Sequence, residues 1–171
     1  MENIFYFIFA TLIMIILFII DGISHQKFKP KNNKLFHAIM IPILLASMAI
    51  LAIKEINLSI LIYPGVILIF LGLYLSFFGL KEIKGNLVKA KRVYDKGIYS
   101  KIRHPIYSGL IVSLFGFSLI INSLLFFIYS FLTILMFIWI AFYEEKHLIR
   151  RFKKNYEEYK KKTGMFIPRI R

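Results

Sequence analysis

The chain has 171 residues, of which 58% are hydrophobic, 17% aromatic and 19% charged. A soluble domain is about half apolar and about a quarter charged, so this composition excludes an ordinary soluble fold. The formal charge of +14 belongs beside a membrane rather than on nucleic acid, because the apolar runs flank the cations. Cysteine is absent, which excludes disulfides and thiolate sites, and the His spacing predicts no metal.

Five apolar runs approach the roughly 20 helical residues that cross a bilayer core. They predict an all-α, polytopic membrane protein with about five transmembrane helices in a single integral membrane domain, residues 1–171. The predicted spans are Asn3–Ile20, Leu35–Ile53, Leu58–Leu80, Pro105–Ile121 and Leu124–Tyr143.

The cations indicate the orientation of these spans. All except Lys54 lie in residues 21–34, in residues 81–103 or in the tail that begins at Glu144. With five crossings these three segments share one side, which the positive-inside rule makes cytoplasmic. The sequence therefore predicts an N-terminus outside and a cytoplasmic C-terminus.

Only Asn122 and Ser123 separate the last two spans. A connection this short predicts a tight antiparallel helical hairpin. Gly109, Ser113 and Gly116 form a stripe of small residues on the fourth span, which favours close packing against another helix.

The tail is predicted to form a cytoplasmic amphipathic helix that ends near Thr163 and Gly164. One face carries Lys and Arg, as expected of a helix that binds anionic headgroups. The other face consists of Leu148, Phe152, Tyr156 and Tyr159.

A polar stretch before the fourth span contains Arg103, His104 and Pro105. Pro105 suits the first position of a helix and disfavours helix for the residue before it. We therefore expect His104 at the mouth of the fourth helix, where amide ends attract an anion and Arg103 adds positive charge. The alternative is a basic turn with no ligand.

The acidic pair Glu144 and Glu145 follows the fifth span. The hairpin brings this pair to the membrane level of His104, so acidic and basic groups should converge. Carboxylates at a helix C-terminus are disfavoured, and we expect a compensating partner: Arg103, a tail lysine or a bound cation. The alternative is a solvated surface pair.

The ordered motifs resemble the isoprenylcysteine carboxyl methyltransferases and their phospholipid methyltransferase relatives. They are Gly97-x-Tyr99, Arg103-His104-Pro105-x-Tyr107-x-Gly109, Glu144-Glu145-x-x-Leu148, Tyr156-x-x-Tyr159 and Pro168. The resemblance implies anchor helices in residues 1–57 and a methyltransferase core in residues 58–171. It also implies a cytoplasmic pocket for S-adenosylmethionine and methyl transfer to a lipophilic acceptor, first of all O-methylation of an isoprenylcysteine carboxylate.

The resemblance also assigns residues. It implies catalytic roles for Arg103, His104 and Glu144, with His104 or a glutamate as base for an amine or hydroxyl acceptor. It implies cofactor contacts at Val93, Tyr94, Tyr99, His104, Pro105, Ile106, Tyr107 and Glu144, with Glu145 an alternative to its neighbour.

One departure from the family pattern affects the acceptor. Eukaryotic members carry an arginine four residues before the first glutamate, where this chain has Ile140. The composition also looks like that of a protein of a prokaryotic cytoplasmic membrane. The acceptor is therefore open among a prenylated or isoprenoid acid, a lipid amine and another lipophilic nucleophile.

Two other functions remain open. One is an NADPH-dependent sterol or enone reductase, whose relatives share a similar His-Pro-x-Tyr region, and the other is a non-enzymatic lipid-binding protein. Under every alternative the expected partners include membrane lipids and exclude nucleic acid.

Overall fold

The computed structural model describes residues 5–13, 15–16, 19, 46, 49–50, 52, 59–83 and 92–169, and residues 5–13 are helical. Residues 46, 49–50 and 52 are also helical, and the helices whose bounds are described after them are α1 (Ile62–Ile83), α2 (Pro105–Ile121), α3 (Leu124–Phe152) and α4 (Lys154–Lys162). A 3-10 turn, Gly97–Ser100, precedes α2. The described part of the chain is thus helical, and an isolated bridge joins Ile102 to Gly164.

The chain divides into two compact units. One comprises residues 1–62 and 118–133, and the other comprises residues 63–117 and 134–171. All candidate site residues belong to the second unit. The single membrane domain suggested by the sequence stays a prediction.

Two of the described helices are long and apolar enough to cross a membrane: α1 and α3. Helix α2 is equally apolar but has 17 residues. The 29 residues of α3 extend about 43 Å at 1.5 Å per residue, more than the roughly 30 Å of a bilayer core. The second predicted span lies largely outside the described residues and the first is described only in part, so the number of five crossings stays a prediction.

The boundaries around the hairpin agree with the sequence. Helix α2 begins at Pro105 and ends at Ile121, and α3 begins at Leu124. Asn122 adopts a φ of 52°, a left-handed conformation that asparagine tolerates better than most residues. The prediction of a two-residue turn is therefore confirmed.

Within the second unit, glycines bring α1 and α2 into backbone contact. A Cβ added at Gly109 would collide with the carbonyl oxygen of Gly72, and a Cβ at Gly72 would collide with that of Gly109. About two turns further along α2, a Cβ at Gly116 would lie 2.6 Å from the carbonyl oxygen of Gly65. The close packing predicted from the small-residue stripe is confirmed.

The tail forms the end of α3 and a separate helix α4, rather than one continuous helix. Helix α3 runs through Glu144 and Glu145 to Phe152, so the acidic pair lies about two turns before the helix end. The unfavourable helix-end position suggested by the sequence therefore does not arise. Lys153, with a φ of 48°, separates α3 from α4.

Helix α4 packs within the second unit through its two tyrosines. Tyr156 and Tyr159 are buried, and the Tyr159 hydroxyl donates to the carbonyl oxygen of Tyr99 at 2.6 Å. Burial raises the pKa of Tyr159, so this hydroxyl keeps its proton and remains a donor. The tyrosine face predicted for the tail is thus used for internal packing.

We predict that Gly109→Ala destabilises the fold by about 1 to 3 kcal/mol, the usual cost of overpacking a tight contact. At an unconstrained helix position the same change would stabilise by about 1 kcal/mol. Unfolding in a lipid-like detergent measures the difference, with Leu110→Met at a partly exposed neighbour as the control. A stabilised Gly109→Ala protein would contradict the contact.

Candidate active site

The segment before α2 is held by the residues that follow α4. The backbone N–H of Arg103 donates to the carbonyl oxygen of Gly164 at 2.9 Å, and that of His104 donates to Met165 at 3.1 Å. The N–H of Gly164 in turn donates to the carbonyl oxygen of Lys101 at 3.1 Å. This pairing fixes His104 at the start of α2, where the sequence predicted it.

Glu145 is the buried carboxylate of the site, with 3% of its side chain exposed. Its Oε1 lies 2.6 Å from Nε of Arg103, and its Oε2 lies 2.7 Å from Nζ of Lys160. A buried charge needs such partners to offset its desolvation. The sequence predicted Arg103, a tail lysine or a bound cation as the compensating partner, and the partners in the structure are Arg103 and one tail lysine, Lys160.

Arg103 is occupied within the protein. Besides Glu145, its guanidinium donates through Nη1 to the carbonyl oxygens of Lys160 and Thr163, at 3.3 and 2.5 Å. Only 9% of its side chain is exposed. These contacts connect the start of α2 with α3 and with the end of α4.

Glu144 has a different environment from its neighbour. Its side chain is 42% exposed, and its Oε1 accepts a hydrogen bond from the Tyr107 hydroxyl at 2.8 Å. Its Oε2 lies 3.6 Å from Nδ1 of His104. A carboxylate this accessible can take a positively charged group or hydroxyls from a ligand.

The His104 imidazole lies between the two carboxylates. Nε2 is 3.5 Å from Oε1 of Glu145, longer than a good hydrogen bond, and it is buried with no hydrogen-bond partner. An unpaired buried polar atom is rare and points to a functional role or a missing partner. The arrangement can hold or move a proton and can bind a polar ligand.

Aromatic rings border this imidazole. Tyr107 stacks near it with ring centroids 5.7 Å apart, and Phe166 lies at 6.0 Å. Tyr107 also stacks with Phe137, with ring centroids 6.1 Å apart. Such rings offer flat faces for a heterocycle or a cation.

The remaining predicted contacts lie around Tyr99. Tyr99 is buried, its hydroxyl donates to the carbonyl oxygen of Gly79 at 3.3 Å, and Tyr94 meets its ring edge-on at 5.6 Å. Val93 lines a polar groove of about 460 Å³.

Pro105 and Ile106, which follow His104, pack against α1 near Gly79. Pro105 is fully buried. The carbonyl oxygen of Ile106 accepts a hydrogen bond from Ser76 at 3.2 Å. Contacts among the side chains of the predicted set therefore centre on five of them, namely Arg103, His104, Tyr107, Glu144 and Glu145.

Sequence reasoning missed several contributors. Phe166 carried no motif signal, and Lys160 was one of several equivalent tail lysines. Glu82, in the last turn of α1, accepts the N–H of Ile98 with both carboxylate oxygens at 3.0 and 3.1 Å. The one indication of Glu82 in the sequence is that it lies in a basic segment directly after an apolar span.

A known protein family matches more than half of this chain. Residues 49–155 match the model of the phospholipid methyltransferase family. Methanethiol S-methyltransferase 1 from Bradyrhizobium diazoefficiens is 32% identical over 114 residues, which are 62% of this chain and 39% of that relative. No solved structure matches. Because the family match covers more than half of the chain and includes His104 and both glutamates, the chain belongs to the phospholipid methyltransferase family of membrane proteins.

Proposed function

We propose that this protein transfers a methyl group from S-adenosylmethionine to a lipophilic acceptor at the cytoplasmic face of a membrane. The observation that carries the proposal is that an accessible carboxylate, Glu144, lies beside Nδ1 of His104, while Nε2 of the same imidazole is buried with no hydrogen-bond partner. Both lie where an apolar helix meets a polar tail. Family membership supports the choice of methyl donor.

The residues present fit that donor. Its ammonium and ribose hydroxyls match the exposed carboxylate of Glu144, and a polar ligand atom would satisfy Nε2 of His104. The faces of Tyr107 and Phe166 suit an adenine ring or a sulfonium. When bound, the donor supplies an electrophilic methyl group. The predicted contacts at Val93, Tyr94 and Tyr99 stay part of the proposal, whereas Pro105 and Ile106 pack against α1 near Gly79.

The two glutamates take different roles in this proposal. Both oxygens of Glu145 contact cations, whereas Glu144 is accessible. We therefore assign donor binding to Glu144. Arg103 becomes a positioning residue rather than a catalytic one, because its guanidinium is bound to Glu145 and to backbone carbonyls.

The charge of the site and the apolar residues beside it indicate which methyl acceptor it favours. Ile140, one helical turn before Glu144, is buried, and Phe137 adds a further apolar surface beside Tyr107. The most exposed charge of the site, on Glu144, is negative, which repels a carboxylate and suits a neutral nucleophile or an ammonium that gives up its proton before it attacks. A lipophilic thiol or amine is therefore the favoured acceptor, and Glu144 or His104 would receive its proton.

A carboxylate acceptor such as a prenylcysteine is the second candidate. It needs no base, and Arg103 would be its counterion if the contact with Glu145 were exchanged. The relative named for methanethiol supports a sulfur acceptor, while the family description supports a lipid amine.

We predict that S-adenosylhomocysteine binds the lipid-reconstituted protein and raises its melting temperature. His104→Ala and Glu144→Gln should each weaken binding by about 1 to 3 kcal/mol, the range for charge-assisted hydrogen bonds. Their combined effect should be less than additive because both groups serve one ligand. Titration calorimetry measures each affinity.

The matched control is Glu157→Gln on the exposed face of α4, which should leave affinity unchanged. Affinity unaffected in all variants would refute the site. Binding of NADPH instead would identify a reductase, and binding of anionic vesicles without either nucleotide would identify a lipid-binding protein.

For the acceptor, we predict that a long-chain alkanethiol or phosphatidylethanolamine is methylated and that a prenylcysteine acid is not. The physical reason is the negative charge of Glu144 beside an apolar wall. Transfer of a labelled methyl group to each compound measures the preference. Methylation of the acid alone would reverse the assignment.

Orientation is part of the proposal. The 20 residues from Leu124 to Tyr143 suffice to cross the bilayer core, which places Glu144 at the interface on the side of the basic tail. We predict a cytoplasmic C-terminus and an external N-terminus, measured with side-sensitive reporters fused to each end. A C-terminus outside would place the site on the face opposite to the cytosolic methyl donor.

A further inference from the structure

Lys160 directly follows the Tyr156-x-x-Tyr159 motif and is not part of it. It is the second cation on the buried carboxylate of Glu145, with Nζ 2.7 Å from Oε2. Its side chain is 34% exposed, so it reaches this contact from the protein surface. Lys160 belongs to α4, whereas Glu145 belongs to α3.

The two oxygens of Glu145 have separate partners. Oε2 contacts Lys160, while Oε1 faces both Nε of Arg103 at 2.6 Å and Nε2 of His104 at 3.5 Å. A carboxylate held at both oxygens cannot rotate freely, because rotation would break one of the two charged contacts. The orientation of Oε1 toward the imidazole therefore depends on the contact at Oε2.

The backbone provides a second connection between α4 and His104. After α4, the carbonyl oxygen of Met165 accepts a hydrogen bond from the N–H of His104. The next residue, Phe166, lies near the imidazole ring. The Ser108 hydroxyl donates to the carbonyl oxygen of Phe166 at 2.7 Å. The end of the chain thus contacts His104 from the backbone and from the ring side.

From these contacts we infer that Lys160 is a positioning residue, which holds Glu145 so that the buried carboxylate fixes the His104 imidazole for ligand binding. Loss of the ammonium leaves Oε2 of Glu145 without its charged partner, so the carboxylate can rotate about the remaining contact between Oε1 and Arg103. The imidazole then loses its fixed neighbour. The part that concerns ligand affinity rests on the proposed function, while the part that concerns the imidazole does not.

The test uses the full chain in lipid nanodiscs with nitrogen-15-labelled histidine. The protein has four His, and a His104→Gln variant assigns the signals of His104. We expect Lys160→Met to shift the His104 ring signals, and Lys160→Arg to restore them because it keeps a positive charge within reach. Lys161→Met, at the exposed neighbouring position, is the matched control and should leave them unchanged.

A second readout is affinity for S-adenosylhomocysteine. Lys160→Met should weaken it by about threefold to tenfold, the scale of a partly exposed ion pair, with Lys160→Arg near the original value. If the Met variant fails to fold, Lys160→Gln replaces it, because the amide keeps a donor without the charge.

The outcomes separate the two claims. Unchanged His104 signals in Lys160→Met, or equal shifts in Lys160→Met and Lys161→Met, would overturn the positioning role. Shifted signals in a protein that binds no S-adenosylhomocysteine would support the positioning role and refute the proposed function.

Discussion

The buried carboxylate of Glu145 is the interaction on which the geometry of the site depends. It lies on α3, and its cationic partners are Arg103, directly before α2, and Lys160 on α4. A single desolvated charge thus joins α3 both to α4 and to the segment before α2, which lies about 40 residues earlier in the chain. Breaking a buried pair costs far more than the pair itself contributes, because the remaining charge stays uncompensated. This asymmetry favours the arrangement in which all three elements meet.

Adjacent glutamates acquire opposite properties through helix geometry. Consecutive residues on an α-helix point about 100° apart, so Glu145 turns toward α4 while Glu144 turns toward Tyr107 and the exposed side. The sequence shows two identical side chains and cannot rank them. Their difference arises from the packing of the tail on α3, which becomes visible only in three dimensions.

Much of the arrangement could nevertheless be predicted. Pro105 marked the start of α2, the Asn122-Ser123 link marked the hairpin, and the hairpin implied that the acidic pair faces His104. These inferences rest on local rules: proline geometry, connection length and helix rise. The identity of Lys160 among several tail lysines, the break at Lys153 and the contact of Phe166 could not be predicted, because they depend on how the tail folds back.

The pairing of residues 101–104 with residues 164–165 uses backbone atoms alone. Backbone hydrogen bonds do not depend on the side chain that carries them, so Met165 can vary widely in character without loosening its hold on His104. Gly164 has no such freedom, because a Cβ there would collide with the carbonyl oxygen of Ile167. Mutational tolerance in this segment should therefore alternate sharply between neighbouring positions. A motif search based on side-chain identity would therefore find one glycine, Gly164, in a segment whose backbone hydrogen bonds involve several consecutive residues.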